Sequence, residues 1–153
     1  MKAVRRLIDA RVKRGELTPV ALDGAGKQEH WAVPEALAMA REGSGELVHI
    51  LSPFDPLIIQ RKRTHLFFDY EHLFEAYVPK AKRKLGYFAL PVLVGEGIVA
   101  ALDLKTDRQN NKLVMQKWNW VGAGERARGE AKKELKRRIE DELHRFERFQ
   151  LER

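Results

Sequence analysis

The stretch LGYFALPVLVGEGIVAALDLK, residues 85–105, decides the fold of this chain. Two apolar runs, Leu85–Val94 and Ile98–Lys105, flank the turn Gly95-Glu96-Gly97, which is the pattern of two antiparallel strands joined by a hairpin. Pro91 within the first run favours an edge strand or a bulge there, because proline has no backbone N–H to donate to a neighbouring strand.

Three further short strands are predicted around this hairpin. Their sequences are Leu47–Leu51, Glu75–Val78 and Leu113–Val121. Residues 57–73 separate the first two and are predicted to be helical or irregular. Because several short strands follow one another, residues 46–122 are predicted to form a small antiparallel β-barrel or a strongly twisted sheet.

The first part of the chain has the pattern of a basic helix followed by a hairpin. Residues 3–14 carry apolar side chains at helical spacings, and Gly15 is a residue type that commonly follows the last helical turn. Two extended pieces, Leu17–Leu22 and Gln28–Val33, come next with turn residues between them. Helix plus hairpin is the second half of a winged helix, so residues 1–45 are predicted to form a partial winged-helix domain.

A short helix and a linker are predicted at the end of the first domain, and a long helix is predicted at the end of the chain. Pro34 suits the first turn of a helix at Pro34–Arg41, and Gly43-Ser44-Gly45 has the composition of a linker. Apolar residues then recur every three or four positions over residues 125–149. We therefore expect residues 123–153 to form one amphipathic helix packed on the barrel, and the fold class to be α+β.

Composition favours a folded, basic protein. The chain has 153 residues, a formal net charge of +7 and no cysteine, so disulfides and Cys-based zinc sites are excluded. The positive surplus favours nucleic acid as a partner, and anionic membrane second. No apolar run is long enough to span a membrane, and the N-terminus lacks the apolar core of a signal peptide, so a cytoplasmic location is expected.

The run Lys80-Ala81-Lys82-Arg83-Lys84 is the strongest electrostatic feature, with Tyr77 and Tyr87 close by. Positive side chains at such a density predict contacts with DNA phosphates, which fix the position of a duplex and make its binding sensitive to salt. The alternative is a solvated cluster that limits aggregation of the apolar strand beside it.

Three smaller basic groups are further candidates for DNA binding. They are Arg61-Lys62-Arg63, the pair Lys105 and Arg108 at a hairpin tip, and Arg5 and Arg6 on the first helix. The tip could reach into a groove or be only a polar turn, and the helix could lie in a groove or act as scaffolding.

The other residues that could take part in catalysis, base stacking or metal binding are better explained by structural roles. Asp55 in the turn Ser52-Pro53-Phe54-Asp55 is better explained by hydrogen bonds to nearby backbone N–H groups than by a general-base role. Trp118 and Trp120 share one face of a strand and are predicted to pack in the core rather than to stack on bases. The five histidines have no metal-binding spacing, so neither a metal site nor a cofactor is expected.

Several motifs together resemble the C-terminal half of the AlkZ/YcaQ family of winged-helix DNA glycosylases, which act on alkylated and crosslinked bases. They are Ser52-Pro53-Phe54-Asp55, Phe68-Asp69-Tyr70, Tyr77-Val78-Pro79, Lys82-Arg83-Lys84-Leu85-Gly86-Tyr87 and Ala101-Leu102-Asp103-Leu104-Lys105. The resemblance spans residues 3–149. It implies tandem winged helices closed by a β-barrel around a concave surface for double-stranded DNA. It also implies that a Gln pair positions the water that hydrolyses the N-glycosidic bond of an N7-alkylated purine, without a metal.

The chain departs from the family pattern in two places. Members often carry Trp-Asp where this chain has Ile59-Gln60, and none of its five glutamines forms the catalytic Gln-x-Gln motif. We therefore expect the DNA-binding and structural C-terminal portion of such a glycosylase, inactive without the N-terminal winged-helix domains. The alternatives are a stand-alone winged-helix regulator that binds nucleic acid, and an enzyme with an unrecognised site.

Overall fold

A computed structural model describes residues 2–39 and 47–152 of the chain. The chain divides into two compact units, Met1–Glu42 and Gly43–Arg153. The predicted linker at residues 43–45 and the last two residues of the helix predicted at 34–41 lie outside the described residues. No helix of the described ranges combines the length and apolar character that crossing a membrane requires.

The first unit contains a helix, a two-stranded hairpin and a short second helix. Helix α1 spans Lys2–Lys13, strands β1 and β2 span Thr18–Val20 and His30–Ala32, and helix α2 spans Pro34–Ala38. The two strands are antiparallel. Gly15 ends α1 with a φ of 75°, a value that glycine adopts without strain. The predicted helix and hairpin are thus confirmed as elements.

The second unit is built on a four-stranded antiparallel sheet. Its strands are β3 (Val48–Ile50), β4 (Ala89–Val94), β5 (Gly97–Asp107) and β6 (Lys112–Trp120), hydrogen-bonded in that order. The mixed α+β class with antiparallel sheets is confirmed; of the two alternatives predicted for this unit, a barrel or a sheet, the barrel is wrong. The sheet stays open because β3 has only three residues and one of the five expected strands does not form, so the two outer strands are not joined.

The strand expected at residues 75–78 is a turn instead. Residues 76–78 bend back on themselves, and the Val78 N–H donates to the Glu75 carbonyl at 3.0 Å. The strand expected to begin at residue 85 begins at Ala89, because buried carboxylates bind the amides that precede it.

The expectation for Pro91 is half right. Strand β4 lies between β3 and β5, so it is not an edge strand, but its pairing with β5 shifts register between Val92 and Leu93, as at a bulge. The Pro91 carbonyl accepts a hydrogen bond from the Leu51 N–H at 2.8 Å, just past the end of β3. In a strand, the backbone nitrogen and oxygen of one residue point to the same side, so the nitrogen of Pro91 also faces β3. Because β3 ends at Ile50, the missing N–H of Pro91 removes no hydrogen bond between the two strands.

Both faces of the sheet are covered, which explains the nearly continuous apolar sequence of β4 and β5. On one face Leu93 and Ile98 cluster with Ile58 and Tyr70. On the other face apolar strand residues pack against Ile139, whose side chain is fully buried.

Ile139 belongs to helix α5 (Gly129–Leu151), which follows a short helix α4 (Gly122–Arg126). The single helix predicted over residues 125–149 is therefore interrupted, because Ala127 and Arg128 have extended backbones. Trp118 and Trp120 pack on the same cluster as Ile139, as expected for core residues. The remaining helix, α3, spans Arg61–Phe68 within the predicted helical or irregular segment.

The burial of His72 predicts that the stability of this unit depends on pH. Its side chain is only 4% exposed, and neither ring nitrogen makes a hydrogen bond of normal geometry. Burial lowers the pKa of His72 below 6.5, with Arg61 adding to the effect and the Pro53 carbonyl opposing it in part. At pH values just below 6.5, His72 is therefore protonated in the unfolded chain and neutral in the folded chain.

We expect the free energy of unfolding to fall as the pH drops below 6.5, by at most about 1.4 kcal/mol per pH unit from this group. Denaturant unfolding of the intact chain between pH 7 and 5 measures this slope. A His72→Phe variant should lose that part of the slope, whereas His65→Gln, at an exposed histidine, should keep it. Equal slopes for the wild type and His72→Phe would contradict the assignment.

Candidate functional site

The basic run sits on a loop that two buried carboxylates hold in place. Lys80–Lys82 form one short 3-10 turn, and the chain then passes through bends at residues 84–85 and 87–88 before β4 begins at Ala89. Lys80, Lys82 and Lys84 are exposed, and Arg83 is half-buried. We call residues 80–84 the basic loop.

Glu75 is the first of the two carboxylates. It is 5% exposed and accepts hydrogen bonds from the backbone N–H groups of Lys84 at 2.8 Å, Leu85 at 2.6 Å and Gly86 at 3.2 Å. Burial opposes the charged form, but the three N–H donors and the nearby Lys117 ammonium together outweigh it and lower the pKa of Glu75. An ionised carboxylate is therefore part of the folded structure at neutral pH.

Asp103 continues the same arrangement from strand β5. Its carboxylate is 8% exposed and accepts from the N–H groups of Tyr87 at 2.8 Å and Phe88 at 3.1 Å. Gly86 is required beside it, because a Cβ at that position would lie 2.3 Å from an Asp103 carboxylate oxygen and the backbone φ is 146°. Together, Glu75 and Asp103 bind five consecutive amides, from the last residue of the basic loop, Lys84, to Phe88.

Strand β6 binds the carbonyl side of the same segment. The Lys117 ammonium donates to the Lys84 carbonyl, and the Asn119 side-chain amide donates to the carbonyls of Leu85 at 2.7 Å and Ala101 at 3.1 Å. The segment after the basic loop is thus hydrogen-bonded on both sides although it lies outside the sheet. This fixes where the lysines of the basic loop leave the protein surface.

Arg83 has a different environment from the three lysines. Its Nε donates to the Val78 carbonyl at 2.7 Å, and its guanidinium lies 4.8 Å from the centre of the Tyr87 ring. The side chain therefore bridges the turn before the loop and the segment between the loop and β4. Arg83 positions the loop, whereas Lys80, Lys82 and Lys84 extend into solvent.

Two adjoining grooves bring the basic loop together with the tip of the β5–β6 hairpin. The first, of about 510 Å³, is lined by Lys80, Arg83 and Lys105 among others, and the second, of about 530 Å³, contains Lys105 and Arg108. Both share Thr106 and Gln116. We call the two together the basic groove. Lys80 and Arg83 of the basic loop therefore line a groove with Lys105, and the adjoining groove contains Arg108, whereas Lys82 and Lys84 line neither groove.

The hairpin tip beside the basic groove is closed by Asp107. Its carboxylate accepts from the N–H groups of Gln109 and Asn110, both at 3.2 Å, and from the Asn110 side chain at 2.8 Å. The side-chain hydrogen bond from Asn110 is the main cause that lowers the pKa of Asp107. Asp107 itself lines the second groove, and its hydrogen bonds to these donors compensate part of its negative charge there.

The other predicted basic residues lie elsewhere. Arg61, Lys62 and Arg63 begin α3, and Arg63 donates to the Pro56 carbonyl; within the described residues, none of the three lines the basic groove.

In the first unit, Arg5 pairs with Glu29 and with Asp9 at 3.1 Å, and lies 5.5 Å from the centre of the Trp31 ring. Hydrogen bonding to Glu29 is the main cause that raises the pKa of Arg5. Its neighbour Arg6 is exposed. The charge of Arg5 is thus largely committed to holding α1 against the hairpin.

The turn at residues 52–55 is held by local hydrogen bonds. The Leu57 N–H donates to the Asp55 carboxylate at 2.8 Å, the Asp55 N–H donates to the Ser52 carbonyl at 2.9 Å, and the Phe54 N–H donates to the Ser52 hydroxyl at 3.3 Å. Pro53 is buried beside them. The Phe54 ring packs on Phe74, with 5.3 Å between ring centres.

Four residues that position the basic loop were not recognised from the sequence: Glu75, Asp103, Lys117 and Asn119. A signal was available for three of them. Asp103 interrupts an apolar strand, and Lys117 and Asn119 alternate with Trp118 and Trp120 on β6, so a polar partner was to be expected on that face. Glu75 gave no signal, because it was assigned to a strand that does not form.

Comparison with known proteins adds one match. The model of a protein family described as DNA glycosylase AlkZ-like matches residues 1–149. No solved structure matches the chain.

Proposed function

Because this chain belongs to the AlkZ-like family of DNA glycosylases, we propose that it binds the backbone of double-stranded DNA through the basic groove. The family has a DNA-repair function with DNA as its substrate. The observation that carries the proposal is the convergence of Lys80, Lys105 and Arg108 on adjoining grooves of one surface. Clustered cations of this kind bind phosphates and release counterions.

The rigidity of the basic loop supports the same role. Five amides, of residues 84–88, and the carbonyls of Lys84 and Leu85 are bound by side chains of the second unit. Lysines that start from a fixed backbone lose less conformational freedom on binding than lysines on a mobile tail. A cluster that served only to keep the adjacent strand soluble would have no need of such an anchor, so the anchoring favours the phosphate-binding role.

We assign the parts of the chain to this function as follows. Residues 1–45 supply a partial winged helix, residues 46–122 supply the sheet that carries the basic groove, and residues 123–153 support the sheet from its other face. Arg61, Lys62, Arg63, Arg5 and Arg6 contribute secondary contacts. Arg5 contributes least, since its guanidinium already pairs with two carboxylates.

We further propose that the chain by itself does not release bases. The family resemblance assigns water positioning to a Gln-x-Gln motif, and the glutamines here are Gln28, Gln60, Gln109, Gln116 and Gln150. None is two positions from another. The catalytic step is then supplied by winged-helix domains that carry the motif.

The test uses the intact chain and a labelled duplex, either unmodified or carrying one N7-methylguanine. Fluorescence anisotropy should show binding to both duplexes that weakens by more than tenfold between low and moderate salt. Release of the methylated base should not exceed that in a protein-free control. Absence of binding at low salt would contradict the DNA-binding proposal, and enzymatic base release would contradict the proposed inactivity.

A further inference from the structure

Tyr77 is the most exposed of the large apolar side chains in the described part of the chain. It is 92% exposed, although it belongs to a folded turn directly before the basic loop. A tyrosine so placed leaves the apolar area of its ring in water. Its position three residues before Lys80 is not explained by packing of the core.

The turn that carries Tyr77 is fixed on both sides. The Val78 N–H donates to the Glu75 carbonyl at 3.0 Å, and the Val78 carbonyl accepts from Arg83 at 2.7 Å. The Lys82 N–H then donates to the Pro79 carbonyl at 2.8 Å. The exposed ring is therefore presented from an ordered backbone, which reduces the entropy lost when a ligand stacks on it.

The neighbouring aromatic rings are less open. Phe74 is half-buried, and its ring centre lies 6.1 Å from that of Tyr77 and 5.4 Å from that of Phe88. Tyr87 is exposed, but the Arg83 guanidinium lies over its ring. Tyr77 is thus the ring beside the basic loop that remains accessible while its neighbours pack on one another.

We propose that Tyr77 stacks on the base of an unpaired nucleotide in single-stranded DNA while Lys80, Lys82 and Lys84 bind the adjoining phosphates. This inference rests on the phosphate-binding role proposed above. An open aromatic ring beside positive charges is the combination by which proteins bind single-stranded nucleic acid, because an unpaired base exposes its flat face. Within a duplex the neighbouring base pairs cover that face, so paired DNA would use the lysines alone.

The experiment compares two DNA hairpins in which the duplex and the number of phosphates are the same. Each has a short single-stranded tail, made of thymidines in one and of abasic residues in the other. The intact wild-type chain should bind the thymidine tail about tenfold more tightly, as expected for one stacked base. Anisotropy titrations at one fixed low salt concentration measure both affinities.

Three variants assign the preference to the ring of Tyr77. Tyr77→Leu should lose the preference for thymidine and keep the affinity for the abasic tail, whereas Tyr77→Phe should behave as the wild type. Phe54→Leu serves as the matched control, since Phe54 is also exposed, at 60%, and packs on the same Phe74 ring. It should keep the preference.

The outcomes distinguish failure of base stacking by Tyr77 from failure of the proposed phosphate binding. Equal wild-type affinities for the two tails, or a preference that survives in Tyr77→Leu, would overturn the stacking role and leave phosphate binding intact. Failure to bind either hairpin would overturn both. Loss of the preference in Phe54→Leu as well would also overturn the assignment to Tyr77.

Discussion

Replacing Glu75 by Gln is expected to lower the free energy of unfolding of the second unit by about 3 kcal/mol. The buried carboxylate accepts three backbone N–H groups with its two oxygens. A glutamine side chain has one oxygen and one NH₂ group, so at least one backbone N–H would lose its acceptor and face another donor. Buried donors without an acceptor are strongly destabilising.

Denaturant unfolding followed by tryptophan fluorescence measures this change. A Trp31→Phe background restricts the signal to Trp118 and Trp120, which lie in the second unit. Glu71→Gln is the matched control, since Glu71 is exposed four residues earlier and undergoes the same chemical change. A loss for Glu75→Gln no larger than that for Glu71→Gln would mean that the buried carboxylate does not hold the loop.

Replacing Lys80, Lys82 and Lys84 together by Gln is expected to weaken binding to duplex DNA by roughly 10- to 100-fold at low salt. All three side chains are exposed, so their removal leaves the packing of the unit unchanged. The loop backbone is held by Glu75, Asp103, Lys117 and Asn119, which the variant retains. The loss would therefore reflect charge at the basic loop and not unfolding.

The matched control removes three lysines from another surface of the same unit. Lys132, Lys133 and Lys136 on α5 give the same change in net charge, and two of them already pair with carboxylates of that helix. We expect this control to bind duplex DNA within about threefold of the wild type, as long-range charge alone would allow. Equal losses in the two triple variants would show that net charge, and not the basic loop, sets the affinity.

The pattern of apolar residues along the sequence predicted the β4–β5 hairpin and helix α1 correctly. The hairpin of β4 and β5 was predicted because its apolar runs flank a glycine-rich turn, and both runs are buried. Helix α1 was predicted from apolar spacing and from Gly15 at its end. In these cases neighbouring residues along the chain decide the local structure.

Side chains distant in sequence decide the parts that were predicted wrongly. Residues 85–88 have the composition of a strand, yet their amides are bound by Glu75 and Asp103, so the ladder begins only at Ala89. Residues 76–78 turn instead of pairing, and without that strand the sheet stays open. Glu75 has no local pattern that distinguishes it from a solvent-facing carboxylate, whereas Asp103 differs from its neighbours because it interrupts an apolar strand.

The basic residues of the proposed DNA-binding surface were named from the sequence, but their arrangement in space was not. The lysines of residues 80–84 were recognised from their density, and Lys105 and Arg108 from their place at a hairpin tip. That Lys80 and Arg83 line a groove next to the one that contains Arg108 depends on the register of β5 and β6, which a single sequence does not specify. The exposure of Tyr77 was not predicted either, because it follows from the turn that formed in place of the expected strand.

The salt dependence of duplex binding tests the central claim most directly, because it counts the phosphates contacted by the basic loop. The slope of log affinity against log salt should be shallower by about 2.7 in the Lys80, Lys82 and Lys84 triple variant than in the wild type, since each lost phosphate contact removes about 0.9. The α5 triple variant should keep the wild-type slope. An unchanged slope in the basic-loop variant would contradict the claim that these lysines bind the DNA backbone.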